Sequence, residues 1–296
     1  MPNKAKLYLQ LARPHQFVKN GFVWLPIFFG AKLGDIGALE QTLIAFAAFC
    51  CAAGGVYVLN DLKDIEEDRG HPTKRNRPLA SGAIPPRGAV IFMAGLLVLA
   101  ALAGALLPKP DFLLILGAYL ILNVAYSFFL KHQAIIDVVC LALGFVLRVL
   151  AGGVAAAVPV SHWIIIMTFL LALFLALAKR RDDLLLAAEG QSARRSIDGY
   201  SLEFVSTSMA VMAAVIIVAY ILYTVSPDTI QKHGTDRLYL TGIWVVVGLL
   251  RYLQLALVEN CTASPTKILL QDRFLQTVLA LWILSFFFLL YNFGIK

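Results

Sequence analysis

The sequence has little charge and little cysteine. Asp, Glu, Lys and Arg together make up 15% of its 296 residues, whereas hydrophobic residues make up 60%. An ordinary soluble domain carries about 25% charged residues, so this chain has too few polar side chains to cover a water-soluble globule. Its four cysteines form no CxxC pair or His/Cys cluster, which argues against a disulfide scaffold and against cysteine-ligated zinc. The composition is that of an integral membrane protein.

The chain also lacks the period-2 alternation of a transmembrane β-barrel. Its apolar runs are continuous and have the length of about 20 residues that an α-helix needs to cross a bilayer. They predict an all-α polytopic membrane protein, a single nine-helix domain over residues 1–296. The predicted spans are 17–33, 39–59, 87–107, 111–130, 134–156, 161–179, 203–225, 238–258 and 274–294. The first is the weakest, because Lys19, Asn20 and Pro26 interrupt it.

Lys and Arg are distributed unevenly between the two sides of the predicted bundle. One set of loops, with its flanking residues, holds 19 of the 25 Lys and Arg residues, and the opposite set holds five. The richer set comprises 1–16, 60–86, 131–133, 180–202 and 259–273. The positive-inside rule places this set and the N-terminus in the cytoplasm, so we expect a multi-pass protein of the inner (plasma) membrane. The net charge of +7 is explained by this bias and by attraction to anionic lipid, and no nucleic-acid partner is expected.

Four oxygen-bearing side chains follow the second predicted span. They are Asn60, Asp61, Asp64 and Asp68. If the helix continues past the membrane edge, spacings of three and four residues place them on one face, where the carboxylates repel one another. Mg²⁺ takes oxygen ligands and commonly joins one or two carboxylates to substrate phosphates, so we predict these four as its ligands. The alternative is a solvated acidic helix end paired with the basic residues that follow.

A basic loop follows the acidic segment. Lys74, Arg75 and Arg77 lie within four residues, between Pro72 and Pro78. Arg suits bidentate phosphate recognition, and Lys supplies a point charge. An acidic metal-binding face beside such a loop is what a diphosphate–Mg²⁺ complex requires, although positive-inside charge would also explain the loop taken alone.

The pattern Asn60-Asp61-x-x-Asp64-x-x-x-Asp68 resembles the first aspartate-rich motif of the UbiA-type intramembrane transferases. The resemblance covers essentially the whole chain. It implies nine helices, bound Mg²⁺ and ionisation of a carbon–diphosphate bond, with the three aspartates as the catalytic carboxylates. Four further segments are similar to the branch that moves 5-phosphoribose from phosphoribosyl diphosphate to a decaprenyl-type polyprenyl phosphate, for cell-envelope glycolipid precursors. These segments are 13–20, 71–75, 126–131 and 269–276.

The resemblance and the placement of charge in the sequence together predict a further set of polar residues that bind the two substrates. The set is Gln16, Lys19, Lys74, Arg75, Arg77, Tyr126, Lys131, Asp137, Arg148, Lys179, Arg180, Asp183 and Arg194. Arg148 lies near the centre of a span, where a charge is costly and usually faces the bundle interior. Its alternative interpretation is a structural arginine satisfied by helix carbonyls. Asp137 shares its helix face but lies about 16 Å away along the axis, so the two cannot pair.

The segment after the sixth span departs from the UbiA prenyltransferase pattern. Those enzymes carry a second motif with acidic residues four or five apart, whereas this chain has adjacent Asp182 and Asp183 among basic residues. A donor with an added 5-phosphate and a phosphate acceptor would use that positive charge, and inside-facing loop charge is the alternative. An isoprenyl transferase with an aromatic or other small acceptor is the second candidate function. A transporter or lipid-binding membrane protein is the third, and a homo-oligomer is compatible with the sequence.

Overall fold

The computed structural model describes residues 4–70, 74–188, 199–259 and 265–293. Of residues 291–293 it describes the backbone only. Within these ranges the chain is helical and contains no β-strand. The α-helices are α1 (Lys4–Ala12), α2 (Leu25–Phe29), α3 (Ile36–Lys63), α4 (Ile65–Arg69), α5 (Pro86–Ala105), α6 (Pro110–Phe128), α7 (Ile136–Ala155), α8 (His162–Ala188), α9 (Leu202–Val225), α10 (Pro227–His233), α11 (Gly242–Leu257), α12 (Pro265–Gln271) and α13 (Arg273–Phe293). Shorter 3₁₀ helices lie at Pro14–Trp24, Lys74–Asn76, Leu130–His132 and Arg237–Thr241.

Eight of the described helices are long and apolar enough to cross a membrane. They are α3, α5, α6, α7, α8, α9, α11 with the 3₁₀ turn before it, and α13. They coincide with the second to ninth predicted spans, so the all-α membrane architecture is confirmed. Two predicted loops are shorter than expected: α3 reaches Lys63, and α8 continues to Ala188, because the Leu, Ala and Arg residues at its end are good helix formers.

The first predicted span, 17–33, is not one α-helix. It consists of the 3₁₀ helix Pro14–Trp24 followed by the five-residue α2, so the count of nine spanning α-helices is not confirmed. The sequence supplies the reason, because Pro26 cannot donate a backbone hydrogen bond and Lys19 and Asn20 are polar. A 3₁₀ helix rarely exceeds four residues, and this one has eleven.

The chain folds into two compact units, residues 1–160 and 161–296. The first is built around α3, whose small residues pack against the 3₁₀ helix Pro14–Trp24, α5, α6 and α7. Its core includes Phe49, whose ring meets the Phe112 ring edge to face at 6.1 Å between centroids and the tilted Tyr119 ring at 5.1 Å. In the second unit, α8, α9, α11 and α13 pack side by side, and Trp282 on α13 donates to the Tyr220 hydroxyl on α9 at 2.8 Å.

The segment before α3 packs alongside α3 and α7. At one end Arg13 pairs with Asp61 in the last turn of α3, and at the other Lys32 donates to the Ala157 carbonyl at 3.2 Å. Between these ends the backbones of the 3₁₀ helix and α7 touch at Gly152, where a Cβ would lie 2.0 Å from the Val23 carbonyl oxygen. This approach requires glycine.

Gly152→Ala therefore tests the packing of the 3₁₀ helix. We expect it to lower the melting temperature of the purified protein, equivalent to a loss of about 1–3 kcal/mol, since backbone must move to admit the methyl group. Gly117→Ala on α6 is the matched control, because a Cβ there meets nothing within 4 Å. It should be neutral or stabilising by up to about 1 kcal/mol. Equal melting temperatures for the two variants would contradict the described approach.

Candidate active site

The acidic segment is helical, as its spacing predicts, but it is divided at Asp64. α3 ends at Lys63, Asp64 has φ −94° and ψ 12°, and α4 begins at Ile65. The i, i+4 backbone hydrogen bonds nevertheless continue, from Asp64 N–H to the Asn60 carbonyl at 3.0 Å and from Asp68 N–H to the Asp64 carbonyl at 2.8 Å. The predicted register of the acidic residues is therefore kept across the break.

Two buried carboxylates meet two guanidinium groups at this helix end. Asp61 and Asp68 are each only 3% exposed. Arg13 Nη2 donates to Asp61 Oδ1, while Arg77 Nη1 donates to the same oxygen at 3.2 Å and to Asp68 Oδ2 at 2.6 Å. We call Arg13, Asp61, Asp68 and Arg77 the four-charge network. Its charges balance, as buried ions require.

Arg13 is the member of the network that sequence reasoning missed. It belongs to the segment 13–20 that carries the family resemblance, but no pattern pointed to an acidic partner 48 residues away. The residue has φ 54° and ψ 60°, the left-handed region that a non-glycine side chain rarely adopts. Its guanidinium lies 5.4 Å from the Tyr57 ring centroid. Burial lowers the pKa of Arg13, and the adjacent Asp61 carboxylate acts in the opposite direction.

The third aspartate has a separate cation. Lys131 Nζ donates to Asp64 Oδ1 at 2.7 Å, so Lys131, one of the residues expected to bind substrate, lies beside the acidic segment. Neighbouring Lys63 donates to the carbonyl oxygens of Ser127 and Phe128 at 2.6 and 3.1 Å. These contacts attach the end of α3 to the end of α6, where half-buried Tyr126 also lies.

The predicted metal ligands are not gathered at one point. Asp61 and Asp68 meet at Arg77, whereas Asp64 faces Lys131, and the described ranges contain no group of three or more His, Cys, Asp or Glu side chains placed to hold a metal. The donors still fit Mg²⁺ in their chemistry, since carboxylate and amide oxygens are hard ligands. They also fit in one geometric respect, because a single cationic nitrogen already lies within hydrogen-bonding distance of both Asp61 and Asp68.

Of the basic loop, only Arg77 joins the four-charge network. Lys74 is half-buried and Arg75 is exposed, on the 3₁₀ turn Lys74–Asn76. The residues 71–73 of the resemblance lie outside the described residues. Arg69 pairs with Glu66 on the surface at 2.7 Å.

Arg148 is buried within the first unit and surrounded by neutral acceptors. Its Nε donates to Asn20 Oδ1 at 2.8 Å, Nη1 to the Gly144 carbonyl at 2.8 Å and Nη2 to the Tyr119 hydroxyl at 3.0 Å. The Tyr119 and Phe145 rings lie 4.7 and 5.3 Å from the guanidinium carbon. The alternative of a structural arginine thus has support, with an asparagine and a tyrosine taking part beside the helix carbonyl. Sequence reasoning named neither of them.

The other predicted binding residues of the first unit lie on two helices. Gln16 and Lys19 are half-buried on the 3₁₀ helix Pro14–Trp24. Asp137 is fully buried in the first turn of α7, on the same helix as Arg148.

In the second unit the predicted cluster lies in the last turns of α8. Arg180 is 1% exposed and donates from Nη1 to Asp183 Oδ2 at 2.6 Å, with half-buried Lys179 beside it. Arg181 and Asp182 are also buried. Arg194 lies outside the described residues.

A second ion cluster in this unit involves the resembling segment 269–276. Arg251 donates to Asp272 at 2.7 Å and to Glu259 at 2.8 Å. Asp272 Oδ1 also accepts from the Leu275 backbone at 2.7 Å, which caps α13. The hydrogen bond from Arg251 lowers the pKa of Asp272. Asp272 lies in the segment that carries the resemblance, but no sequence pattern pointed to Arg251 as its partner.

The chain is similar to known proteins in its family pattern, in its sequence and in its fold. Residues 23–189 match the UbiA prenyltransferase family. The chain is 32% identical to the decaprenyl-phosphate phosphoribosyltransferase of Mycolicibacterium smegmatis, over 93% of this chain and 89% of that protein. It is 30% identical to the protein of the same name from Corynebacterium glutamicum, over 95% and 86%. A UbiA homologue from Archaeoglobus fulgidus, solved with GPP and Mg²⁺, has a similar fold, with a TM-score of 0.72, 20% identity and coverage of 96% and 99%.

The four-charge network predicts a strong coupling between Arg77 and Asp68. Arg77→Met leaves a buried carboxylate unpaired, so we expect a loss of about 1–3 kcal/mol in the free energy of unfolding. Adding Asp68→Asn should recover part of the loss, because the remaining amide is uncharged. Unfolding titrations in mixed micelles of the two single variants and the double variant measure this coupling.

The surface pair of Arg69 and Glu66 is the control for that cycle. Their side chains are 52% and 83% exposed, so their coupling should be about 0–0.5 kcal/mol. An equally small coupling for Arg77 and Asp68 would contradict the described network.

Proposed function

Because this chain belongs to the UbiA prenyltransferase family, we propose that it transfers 5-phosphoribose from phosphoribosyl diphosphate to a decaprenyl-type polyprenyl phosphate and releases diphosphate. The observation that carries the proposal is the similarity, over more than nine tenths of the chain, to enzymes named decaprenyl-phosphate phosphoribosyltransferase. The family makes the chain a membrane transferase, and the substrates follow from the names of the relatives.

The carboxylates of the helix end supply the site for the donor's diphosphate. Asn60, Asp61, Asp64 and Asp68 would hold Mg²⁺, which supplies positive charge to the departing diphosphate. The use of a divalent ion is supported by the archaeal homologue, which was solved with Mg²⁺ and an isoprenyl diphosphate.

The basic residues around these carboxylates bind phosphate oxygens. Arg77 is 28% exposed and lies between the carboxylates and the basic loop, so its planar guanidinium can turn from Asp61 and Asp68 to a diphosphate. Lys131, paired with Asp64 at 2.7 Å, is placed to do the same. The metal and the diphosphate would thus take the places of the cations and the carboxylates in these ion pairs, so no buried charge would lose its counterion.

The transfer itself needs no general base from the protein. The bond between ribose C1 and the diphosphate oxygen breaks, and a bond between C1 and an oxygen of the polyprenyl phosphate forms from the opposite face. That oxygen is already anionic near neutral pH, since the second pKa of a phosphate monoester is about 6. The chain's residues therefore act by binding, orientation and charge compensation.

We further propose that residues 14–29 cross the membrane as a ninth span. Eleven 3₁₀ residues at about 2.0 Å and five α-helical residues at about 1.5 Å reach about 30 Å, the thickness of the hydrocarbon core. The contacts of Arg13 and Lys32 at opposite ends of the α3–α7 pair support the crossing. Nine crossings and the positive-inside rule place the N-terminus and the Asp61 site on the cytoplasmic side of the inner membrane. Phosphoribosyl diphosphate, a polyanion that lipid excludes, is then accessible from that side.

The proposed reaction is tested directly with purified protein, Mg²⁺, phosphoribosyl diphosphate labelled in the ribose, and a panel of polyprenyl phosphates. We expect a labelled product that partitions into organic solvent and requires both the metal and the lipid. Labelled geranyl or farnesyl diphosphate, offered with aromatic acceptors, tests the prenyltransferase alternative. Product from the isoprenyl donors alone would decide for that alternative, and a protein that makes neither product would contradict both.

Asp61→Asn and Asp64→Asn should each reduce the rate of this reaction by about 10- to 100-fold, as loss of a group at a metal site does. Glu67→Gln is the matched control, because Glu67 is an exposed carboxylate on the adjacent turn of α4. It should keep the wild-type rate. Size-exclusion profiles verify folding, and a fully active Asp61→Asn protein at limiting Mg²⁺ would remove this site from the proposal.

The proposed orientation predicts the labelling of single cysteines in a protein whose four native cysteines are replaced. Ser81→Cys should resist a membrane-impermeant thiol reagent in intact cells and react in inverted vesicles. Gln231→Cys and Gly34→Cys should react in intact cells, since both positions are exposed and the proposed nine crossings would put them on the side opposite Ser81. Gly34→Cys tests the ninth crossing, and its protection together with Ser81 would refute that crossing.

A further inference from the structure

Lys63, the last residue of α3, holds the end of α6. Its ammonium group donates to the Ser127 carbonyl at 2.6 Å and to the Phe128 carbonyl at 3.1 Å. The last four carbonyls of an α-helix have no partner within the helix, and the C-terminus carries a partial negative charge. Lys63 Nζ also lies 4.5 Å from the centroid of the Phe128 ring. A single cation on α3 therefore caps the C-terminus of the neighbouring helix α6.

The capped helix end leads directly to Lys131. After α6, Phe129 leaves helical geometry with φ −130° and ψ −51°, and the 3₁₀ turn Leu130–His132 follows. Lys131 lies in this turn and donates to Asp64 Oδ1 at 2.7 Å. Two adjacent residues at the end of α3 therefore hold the same segment at two points. Lys63 binds its backbone, and Asp64 binds its lysine side chain.

Substrate binding would affect these two contacts differently. In the proposed function Asp64 binds Mg²⁺ and Lys131 turns to a phosphate oxygen, so their ion pair opens. The contact of Lys63 with the helix carbonyls involves none of the groups assigned to substrate, so it would persist. The backbone of Lys131 would then stay in place while only the side chain moves. Because a lysine side chain is long and flexible, a fixed backbone limits the conformational freedom that is lost on binding.

We propose that Lys63 is a positioning residue for the transfer of phosphoribose, and that it acts through Lys131. This inference rests on the proposed function. Lys63 fixes the end of α6, and thereby the point from which the Lys131 ammonium group reaches the donor's diphosphate, without touching the substrate itself. The aspartate-rich motif thus contains, between Asp61 and Asp64, the residue that orders a cation beside its carboxylates.

The variant Lys63→Met removes the hydrogen-bond donor and keeps an unbranched side chain. We expect kcat/KM for phosphoribosyl diphosphate to fall by about 3- to 10-fold, an indirect effect smaller than the loss of a metal ligand. Lys63→Arg should keep most of the activity, because a guanidinium group can donate to both carbonyls. Lys109→Met is the matched control, since Lys109 is exposed at the opposite end of α6, and it should keep the wild-type value.

A double-mutant cycle with Lys131 distinguishes positioning from a direct contact with substrate. Lys131→Met alone should lower kcat/KM by more than Lys63→Met does. In the Lys131→Met background, Lys63→Met should leave kcat/KM unchanged within about twofold, because the residue through which it acts is absent. A residue that bound the substrate itself, or that only stabilised the fold, would lower kcat/KM by the same factor in both backgrounds.

A nitroxide spin label measures the positioning without any substrate. The label is attached to Gln133→Cys, an exposed position directly after the 3₁₀ turn, in the protein whose four native cysteines are replaced. Lys63→Met should increase the mobility of the label in the electron paramagnetic resonance spectrum, because the end of α6 loses its cap. Lys63→Arg and Lys109→Met should leave the spectrum unchanged.

Two results would overturn the inference and leave the proposed function standing. One is a loss of kcat/KM from Lys63→Met that is equal in the presence and absence of Lys131, or no loss in either. The other is a spin-label spectrum that Lys63→Met does not change. A wild-type protein that makes no labelled product from phosphoribosyl diphosphate would instead contradict the proposed function, and with it this role of Lys63.

Discussion

Compensation of buried charge is the constraint on which the first unit depends. A carboxylate in a helical bundle is tolerated only where cations and hydrogen-bond donors meet it, since the low-polarity interior offers no water to replace them. Asp61 and Asp68 obtain their cations from the N-terminal segment and from the basic loop. The ion pairs thus attach two otherwise unrelated pieces of chain to the end of α3. The left-handed backbone of Arg13 is the local strain that this attachment stabilises.

In the proposed function, the same constraint would explain how the site binds polyanions. A metal–diphosphate complex would bring its own positive and negative charges, so it would exchange with the internal pairs of Arg77 and Lys131 without a large change in net charge. A site made of unpaired carboxylates would be costly in the empty protein, and a site made of arginines alone would leave no ligand for a metal. The alternation of acidic and basic residues over 60–77 satisfies both requirements.

Contacts between residues close together in the sequence could be predicted from it, and contacts between distant residues could not. Eight spans were predictable because each is a continuous apolar run, and Arg77 was predictable because it lies in the same loop as its partners. Arg13 and Asn20 were not, since their partners lie 48 and 128 residues away and only the tertiary fold brings them together. The 3₁₀ helix was visible only as a weak span, because its proline and polar residues lower the hydrophobicity without specifying a geometry.

Charge compensation also bears on the missing second aspartate motif. In the last turns of α8, Asp183 is held at 2.6 Å by the fully buried guanidinium of Arg180, one turn earlier on the same helix. A carboxylate engaged by a buried arginine is a poor ligand for a second metal, because the metal would have to displace that arginine. Adjacent Asp182 cannot replace it, since neighbouring residues on a helix point about 100° apart. In place of the second aspartate motif expected from the family resemblance, the end of α8 therefore carries an internal ion pair with basic neighbours, which is consistent with the phosphate-bearing substrates of the proposed function.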